Sequence, residues 1–176
     1  MTSELAFIAA LRRIATHPGA RNLEDDCAVI DFGGEVLVLT HDMLVEGVHY
    51  LPQDPPESVA WKLVAVNMSD LAANGARPLG VLLGFALAGD SAWDRAFAAG
   101  VGAALSHFET VLLGGDTVAM PLGAPRVLGL TALGLAPEGG APSRAGAQPG
   151  DDLYVSGTIG DAGAGLALLR AGEADP

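Results

Sequence analysis

The sequence predicts an α+β domain with a mixed or antiparallel sheet and helices on one face. Three observations lead there. Apolar runs of strand and helix character alternate as β-β-α-β-α-β-β, too rich in adjacent strands for a purely parallel doubly wound sheet. Residues 26 to 31 and 35 to 40 flank Phe32-Gly33-Gly34 at hairpin spacing. Half of the 176 residues are hydrophobic, so a real core is available.

Each element has a local signal. Ser3 caps a first helix with Leu5, Ile8 and Leu11 on one face, and His17-Pro18-Gly19 stops it. After the hairpin and a Pro52, Pro55 and Pro56 loop, Asp54 is placed to cap a helix that runs to Asn74 and stops at Gly75. Residues 79 to 88 read as a buried strand. Ser91-Ala92-Trp93-Asp94 has capping-box spacing and opens a helix through about His107. A strand over 110 to 114 ends in Gly114-Gly115-Asp116-Thr117, and another covers 126 to 136. The Gly-, Pro- and Ala-rich stretch that follows suggests a division into a domain over 1–137, a connection over 138–150 and the beginning of a second α+β domain over 151–176, with a strand at 152–156 and a helix at 161–170.

Charge narrows the partners. Asp and Glu number 21 against 9 Lys and Arg, a formal net charge of -12, and Lys62 is the only lysine. No basic patch is available for nucleic acid or an anionic membrane surface. Cys27 stands alone in an apolar run, which excludes an intramolecular disulfide and fits a buried thiol in a reducing, cytoplasmic compartment. No apolar run reaches the roughly 18 residues of a membrane span.

The acids form a pattern. Asp25 and Asp26 precede a strand, Asp42 follows one, Asp70 lies late in a helix, and Asp116 follows a strand and two glycines. Asn67, Asp70 and Asn74 recur at helical spacing, a polar stripe beside the apolar Val66, Met68 and Leu71. A carboxylate near a helix C-terminus is a misfit of about 0.3 to 1 kcal/mol that a bound cation reverses. Two carboxylates 4 Å apart repel by about 4 kcal/mol at an effective dielectric of 20, so convergence of these acids requires cations between them. The donors are hard oxygens without Cys/His pairs at zinc spacing, which points to magnesium or calcium, magnesium when phosphates complete the shell. Gly157-Thr158-Ile159-Gly160-Asp161 lacks the Lys-Ser/Thr of a Walker A loop, and His17, His41, His49 and His107 share no catalytic motif.

The segments EDDCAVI (24 to 30), LTHDMLVEGVHY (39 to 50), WKLVAVNMSDLAANGARP (61 to 78), LLGGDT (112 to 117) and SRAGAQPGDDLYVSGTIGDAGAGLALL (143 to 169) resemble, in order and spacing, the thiamine-monophosphate kinases. These are grouped with aminoimidazole ribonucleotide synthetase and selenophosphate synthetase in one two-domain ATP-binding superfamily. The resemblance implies magnesium ligands at Asp25, Asp42, Asp70 and Asp116 with Thr40 assisting, ATP contacts at Gly115, Asp116 and Arg144, and a thiamine monophosphate contact at His49. It implies several Mg2+ ions, ATP as co-substrate and a homodimer joined through strands of the N-terminal domain. The implied reaction moves the γ-phosphoryl group of ATP onto the phosphate of thiamine monophosphate, which needs no general base because the acceptor is already an anionic oxygen. Three residues depart from the family pattern: Glu24 for a usual Gly, His41 for a usual hydroxyl residue, and Val118 where a threonine is common. Relatives run to roughly twice this length. Two other readings stand beside this one: another ATP-using enzyme of the superfamily, and a non-catalytic metal-binding or dimerisation domain.

Overall fold

In the computed structural model, which describes residues 3–173, the chain divides into two compact units, Met1–Gly146 and Ala147–Pro176. In the first, β1 (Ala28–Phe32) and β2 (Glu35–Val45) form the expected hairpin, turning through Gly33 and Gly34 at φ 65° and 90°. Both turn residues need the left-handed region that glycine enters without steric penalty. Three further strands complete the sheet: β3 (Arg77–Leu87), β4 (Leu112–Ala119) and β5 (Val127–Leu135). The strand order is β1-β2-β5-β3-β4, with β3 and β4 parallel and all other neighbours antiparallel.

One face of this mixed sheet is covered by helices, as expected. α2 (Pro56–Ala73) packs on β2, β3 and β5, and α3 (Ser91–His107) packs on α2. Strand alternation turns Val38, Thr40 and Leu44 of β2 into the core and leaves His41 and Met43 exposed. Leu63 and Leu71 of α2, Phe97 of α3, and Leu128 and Leu130 of β5 are the largest side chains sealed there. Each such burial contributes about 1.5 to 3 kcal/mol.

Several boundaries differ from the sequence reading, for identifiable reasons. α1 (Glu4–Arg12) is capped by Ser3 as expected but ends before His17, and a 3-10 segment occupies Pro18–Leu23. Asp54 does not cap α2: its carboxylate accepts from the Leu51 amide at 2.8 Å, and Pro55 takes the cap position. α3 is capped by Asp90, which accepts from the Ala92 and Trp93 amides, so the box expected from Ser91 is not made. The C-terminal end of α2 follows expectation, since Gly75 N–H bonds Ala72 O and Ala76 N–H bonds Leu71 O in a Schellman arrangement.

Both strands that were to end at an aspartate run past it. β5 pairs with β2 all the way to Val45, and β3 pairs with β4 through Ala119, so Asp42 and Asp116 are mid-strand residues.

The second unit contains α4 (Asp161–Ala171), as expected, but residues 152–156 form no strand. Leu153 and Tyr154 are almost wholly exposed, and without a neighbouring strand their alternation has no ladder to join. Among the described residues, no helix is long and apolar enough to cross a membrane.

Candidate functional site

The site begins with a polar stripe inside an apolar helix face. On α2, Val59, Leu63, Asn67 and Leu71 succeed one another at i, i+4 spacing and all are buried, so Asn67 occupies a core position. Both of its polar atoms are partnered: its amide nitrogen donates to Leu63 O at 2.9 Å, and its carbonyl oxygen accepts from the Asp42 backbone N–H at 3.2 Å. Asn74, also buried, donates to Asp70 O at 3.1 Å. The stripe therefore runs from the buried core at Asn67 to Asp70 and Asn74, which line a cleft, so it is not simply a solvated face.

Asp70 meets β2 at this point. The Thr40 hydroxyl, buried, donates to Asp70 Oδ2 at 2.6 Å and lies 3.4 Å from Asp26 O. Burial pushes the Asp42 carboxyl above its ordinary value, the Asp70 charge pushes it further, and His41 and His49 oppose the rise. Asp42 and Asp70 thus repel each other across the β2–α2 contact, and a cation between them would relieve that repulsion. Cys27 shares the neighbourhood: burial, and then the Asp70 charge, raise its thiol to about 11, which makes it an inert packing residue.

A cleft of about 210 Å³ opens next to this pair, lined by Asp25, Asp26, Asp70, Asn74, Ser143 and Arg144. Bonded to Asp25 of this lining is an arginine that sequence reasoning missed. Arg21 Nη1 donates to Asp25 Oδ2 at 2.8 Å and to Pro142 O at 2.7 Å, while Nη2 donates to Ala141 O at 2.7 Å. These bonds hold part of the expected 138–150 connection against the domain. Arg21, Asn22 and Leu23 all have φ between 47° and 56°, a conformation that costs non-glycine residues about 1 to 2 kcal/mol each. Nothing in the local sequence signals that turn. Arg144 lines the cleft itself, where its guanidinium pairs with Asp26 and its backbone N–H donates to Asp25 Oδ2 at 3.3 Å.

Of the sequence-predicted residues, the fold brings Asp25, Asp70 and Arg144 to the cleft and sets Thr40 and Asp42 beside Asp70. His49 lies in the loop after β2, close enough that a protonated ring there would act on Asp42. Its Nδ1 accepts from the Val45 amide at 3.0 Å. Gly115 and Asp116 are elsewhere. Asp116 pairs with Gly84, Gly84 with Gly129 and Gly129 with Met43, so three strand spacings, about 14 Å, separate Asp116 from β2. A Cβ at Gly115 would lie 1.9 Å from Leu83 O, so the sheet itself requires glycine there. Of the departures from the family pattern, His41 lies on the opposite sheet face, bonded to Thr131 at 2.8 Å, and the Glu24 carboxylate accepts from Asn22 Nδ2 at 2.7 Å.

Among the described residues, no group of three or more His, Cys, Asp or Glu side chains converges to hold a metal ion. Asp42 and Asp70 with the Thr40 hydroxyl still suit one cation, because magnesium is commonly held by one or two carboxylates with water and phosphate completing its octahedron. Calcium, which takes six to eight oxygens, fits this sparse donor set less well.

Comparison with known proteins places the arrangement. Residues 24–136 match the family described as AIR synthase related protein, N-terminal domain. The chain is 43% identical over 148 residues to a thiamine-monophosphate kinase of Escherichia coli K12, covering 83% of this chain and 44% of that protein. It is 44% identical over 176 residues to one from Caulobacter vibrioides, covering 97% and 49%. The chain thus spans about half the length of the curated relatives it matches. Among solved structures, "AaThiL complexed with AMPPCP and TMP" superposes with a TM-score of 0.88 at 30% identity, over 98% of this chain and 54% of that one. The thiamine-monophosphate kinase of Stenotrophomonas maltophilia superposes at 0.71 with 36% identity, over 96% and 54%.

Proposed function

Because the chain belongs to the AIR synthase related proteins through their N-terminal domain, we propose that it carries the metal- and nucleotide-binding part of a thiamine-monophosphate kinase. The reaction is ATP-dependent transfer of a phosphoryl group to the phosphate of thiamine monophosphate, in a cytoplasmic protein. The observation that carries this reading is the Thr40–Asp70–Asp42 arrangement, in which the Asp70 carboxylate acts on Asp42 and itself lines a cleft that Arg144 also lines. Supporting it are the kinase relatives and the neighbour structure whose description names AMPPCP and TMP.

In this reading Asp42 and Asp70 hold magnesium, with Thr40 fixing the Asp70 carboxylate and Asp25 contributing from the Arg21 side. Bound magnesium would neutralise charge on the ATP phosphates and on the acceptor phosphate. Arg144, exposed and paired only with exposed Asp26, is free to exchange that partner for a phosphate. His49 contacts thiamine monophosphate. No side chain serves as general base. A protein of net charge -12 attracts these anions only through cations and a few placed arginines.

Gly115 and Asp116 enter through a second copy. Asp116 is about 14 Å from Asp42 within one chain by strand spacing, so a homodimer joined through strands would be the means of bringing an edge strand's Asp116 to a partner's acid pair. The division into a domain over 1–137, a connection over 138–150 and the start of another domain over 151–176 belongs to the same proposal.

An ADP-release assay with thiamine monophosphate tests it. Turnover that depends on magnesium and disappears in Asp70→Ala supports the kinase reading. Turnover with a different acceptor would transfer the chain to another enzyme of the superfamily. Because the chain covers only 44% of the Escherichia coli relative, a binding-only domain is the second reading. It is favoured if calorimetry shows magnesium binding and no acceptor supports turnover.

A further inference from the structure

We propose that Arg126 is a positioning residue for His49: it clamps Glu46 at the start of the loop after β2, the residue to which Tyr50 at the loop's end is bridged, so that His49 is held as a neutral Nε2–H hydrogen-bond donor. The inference rests on the kinase reading only for the identity of the acceptor, a phosphate-ester oxygen.

The clamp is built from several contacts. Glu46 N–H donates to Arg126 O at 3.0 Å, continuing the β2–β5 ladder by one residue. The Glu46 carboxylate accepts from both the backbone N–H and Nη1 of Arg126 at 3.2 Å through the same oxygen, Oε2. The guanidinium lies 4.3 Å from the Trp93 ring centroid, and its Nη2 is 3.7 Å from Asp90. The arginine is therefore fixed by α3 before it touches the loop. At the other loop end, Tyr50 forms an isolated bridge with Glu46 and is buried. Burial and then the Glu46 charge push its hydroxyl up to about 12, and Arg126 opposes them, so all three side chains share one region.

Between these ends the loop is tightly bonded. Val48 and His49 N–H both donate to Val45 O, Gly47 N–H donates to Tyr50 O, and Lys62 Nζ donates to His49 O. The consequence for the ring is chemical. A nitrogen that accepts the Val45 N–H carries no proton, so in the neutral imidazole the hydrogen is on Nε2. Such a ring donates to an oxygen without adding charge, and it has no free lone pair with which to act as a base. Arg126 and Glu46 thus act through His49, and neither needs to touch substrate.

Nitrogen-15 imidazole spectra of the whole chain without substrate test this independently of any kinase activity. His17 is an internal control, because its Nδ1 accepts the Gly19 N–H at 3.0 Å. In the unmodified chain His49 should show one tautomer, Nε2 protonated and Nδ1 bare. Arg126→Lys, which keeps the charge but loses the forked contact, should move His49 toward tautomer averaging. The Val45 amide should then exchange about tenfold faster, as for the loss of one hydrogen bond, while His17 is unchanged. Should that variant fail to fold, shown by loss of the His17 signature, Glu46→Gln gives the same reading with a smaller change. A protonated Nδ1 in the unmodified chain overturns the proposal. So does a single unaltered tautomer in folded Arg126→Lys or, where that variant does not fold, in folded Glu46→Gln. Titration with thiamine monophosphate reads the acceptor separately. A shift at His49 Nε2 supports the phosphate-ester assignment, and no shift with the tautomer intact overturns that assignment alone.

Discussion

Asp42 lies in an eleven-residue strand that pairs with β5 through Val45 and with β1 up to Leu39 and is packed under a helix, whereas Asp116 sits on an eight-residue edge strand whose every residue is exposed. Both were marked by the sequence as cation ligands. Around Asp42 the chain supplies its own neighbours: Asn67 accepts from its amide, Asp70 faces its carboxyl, and Thr40 fixes Asp70. Around Asp116 the chain supplies a parallel ladder to β3 on one side only. Exposed apolar residues of β4, among them Leu112, Leu113 and Val118, make that edge a surface natural proteins ordinarily cover. The difference teaches that acids marked alike in the sequence can be set by the fold in unlike surroundings.

The largest expected effect separates the two aspartates by cation binding. Asp70→Ala should lower magnesium affinity more than about tenfold, since it removes one of the few carboxylates of the proposed site. Asp116→Ala, distant from that pair, should leave it within about twofold at protein concentrations where the chain is monomeric. Calorimetry reads both. Equal losses in the two monomeric variants would break the comparison, because they would place Asp116 beside Asp42 in one chain.

A smaller effect concerns stability. Asn67→Leu fills the space but leaves the Asp42 amide buried without its acceptor, which should cost about 1 to 3 kcal/mol. Val118→Ala on the exposed strand should stay within about 0.5 kcal/mol. Urea unfolding of the two variants sharpens the contrast between an internally satisfied strand and an open one.

Much of this was legible in the letters. The hairpin follows from Gly33-Gly34, and the mixed sheet from the crowding of strands at both ends of the domain. Asp70 stood out because a carboxylate near a helix C-terminus has no local use. Strand ends were misread at Asp42 and Asp116 because an aspartate ordinarily marks a turn, and only pairing with β5 and β3 carries the backbone through them. The stripe of Asn67, Asp70 and Asn74 is legible from its spacing, but the burial of Asn67 is not, because its bond to the Asp42 amide joins elements 25 residues apart. Arg21 had no signal at all: its role depends on three consecutive left-handed residues and on carbonyls 120 and 121 positions away.

The smallest effect is the most diagnostic, because its sign opposes habit. An aspartate that gains a partner on folding has a lowered pKa and stabilises the fold above that value. Asp42 has a raised one, from burial first and Asp70 second. Between the ordinary value of 3.8 and its raised folded value, the native state holds the proton more tightly than the unfolded chain does. Its contribution to stability therefore falls as pH rises through that window and stays unfavourable above it. In metal-free buffer Asp42→Asn should melt higher than the unmodified chain at pH 7, with the gap closing as pH drops below 3.8. Magnesium should reverse the order at pH 7, since only the carboxylate gains a ligand that binds the folded state. The equivalent change on the other strand, Asp116→Asn, should show neither the gap nor the reversal in the monomeric chain, where its carboxylate is exposed and remote from Asp70. Melting curves of the two variants at two pH values, with and without magnesium, read the whole contrast. A higher melting point for the unmodified chain at pH 7 without metal would mean that Asp42 already has a cationic partner within its own fold.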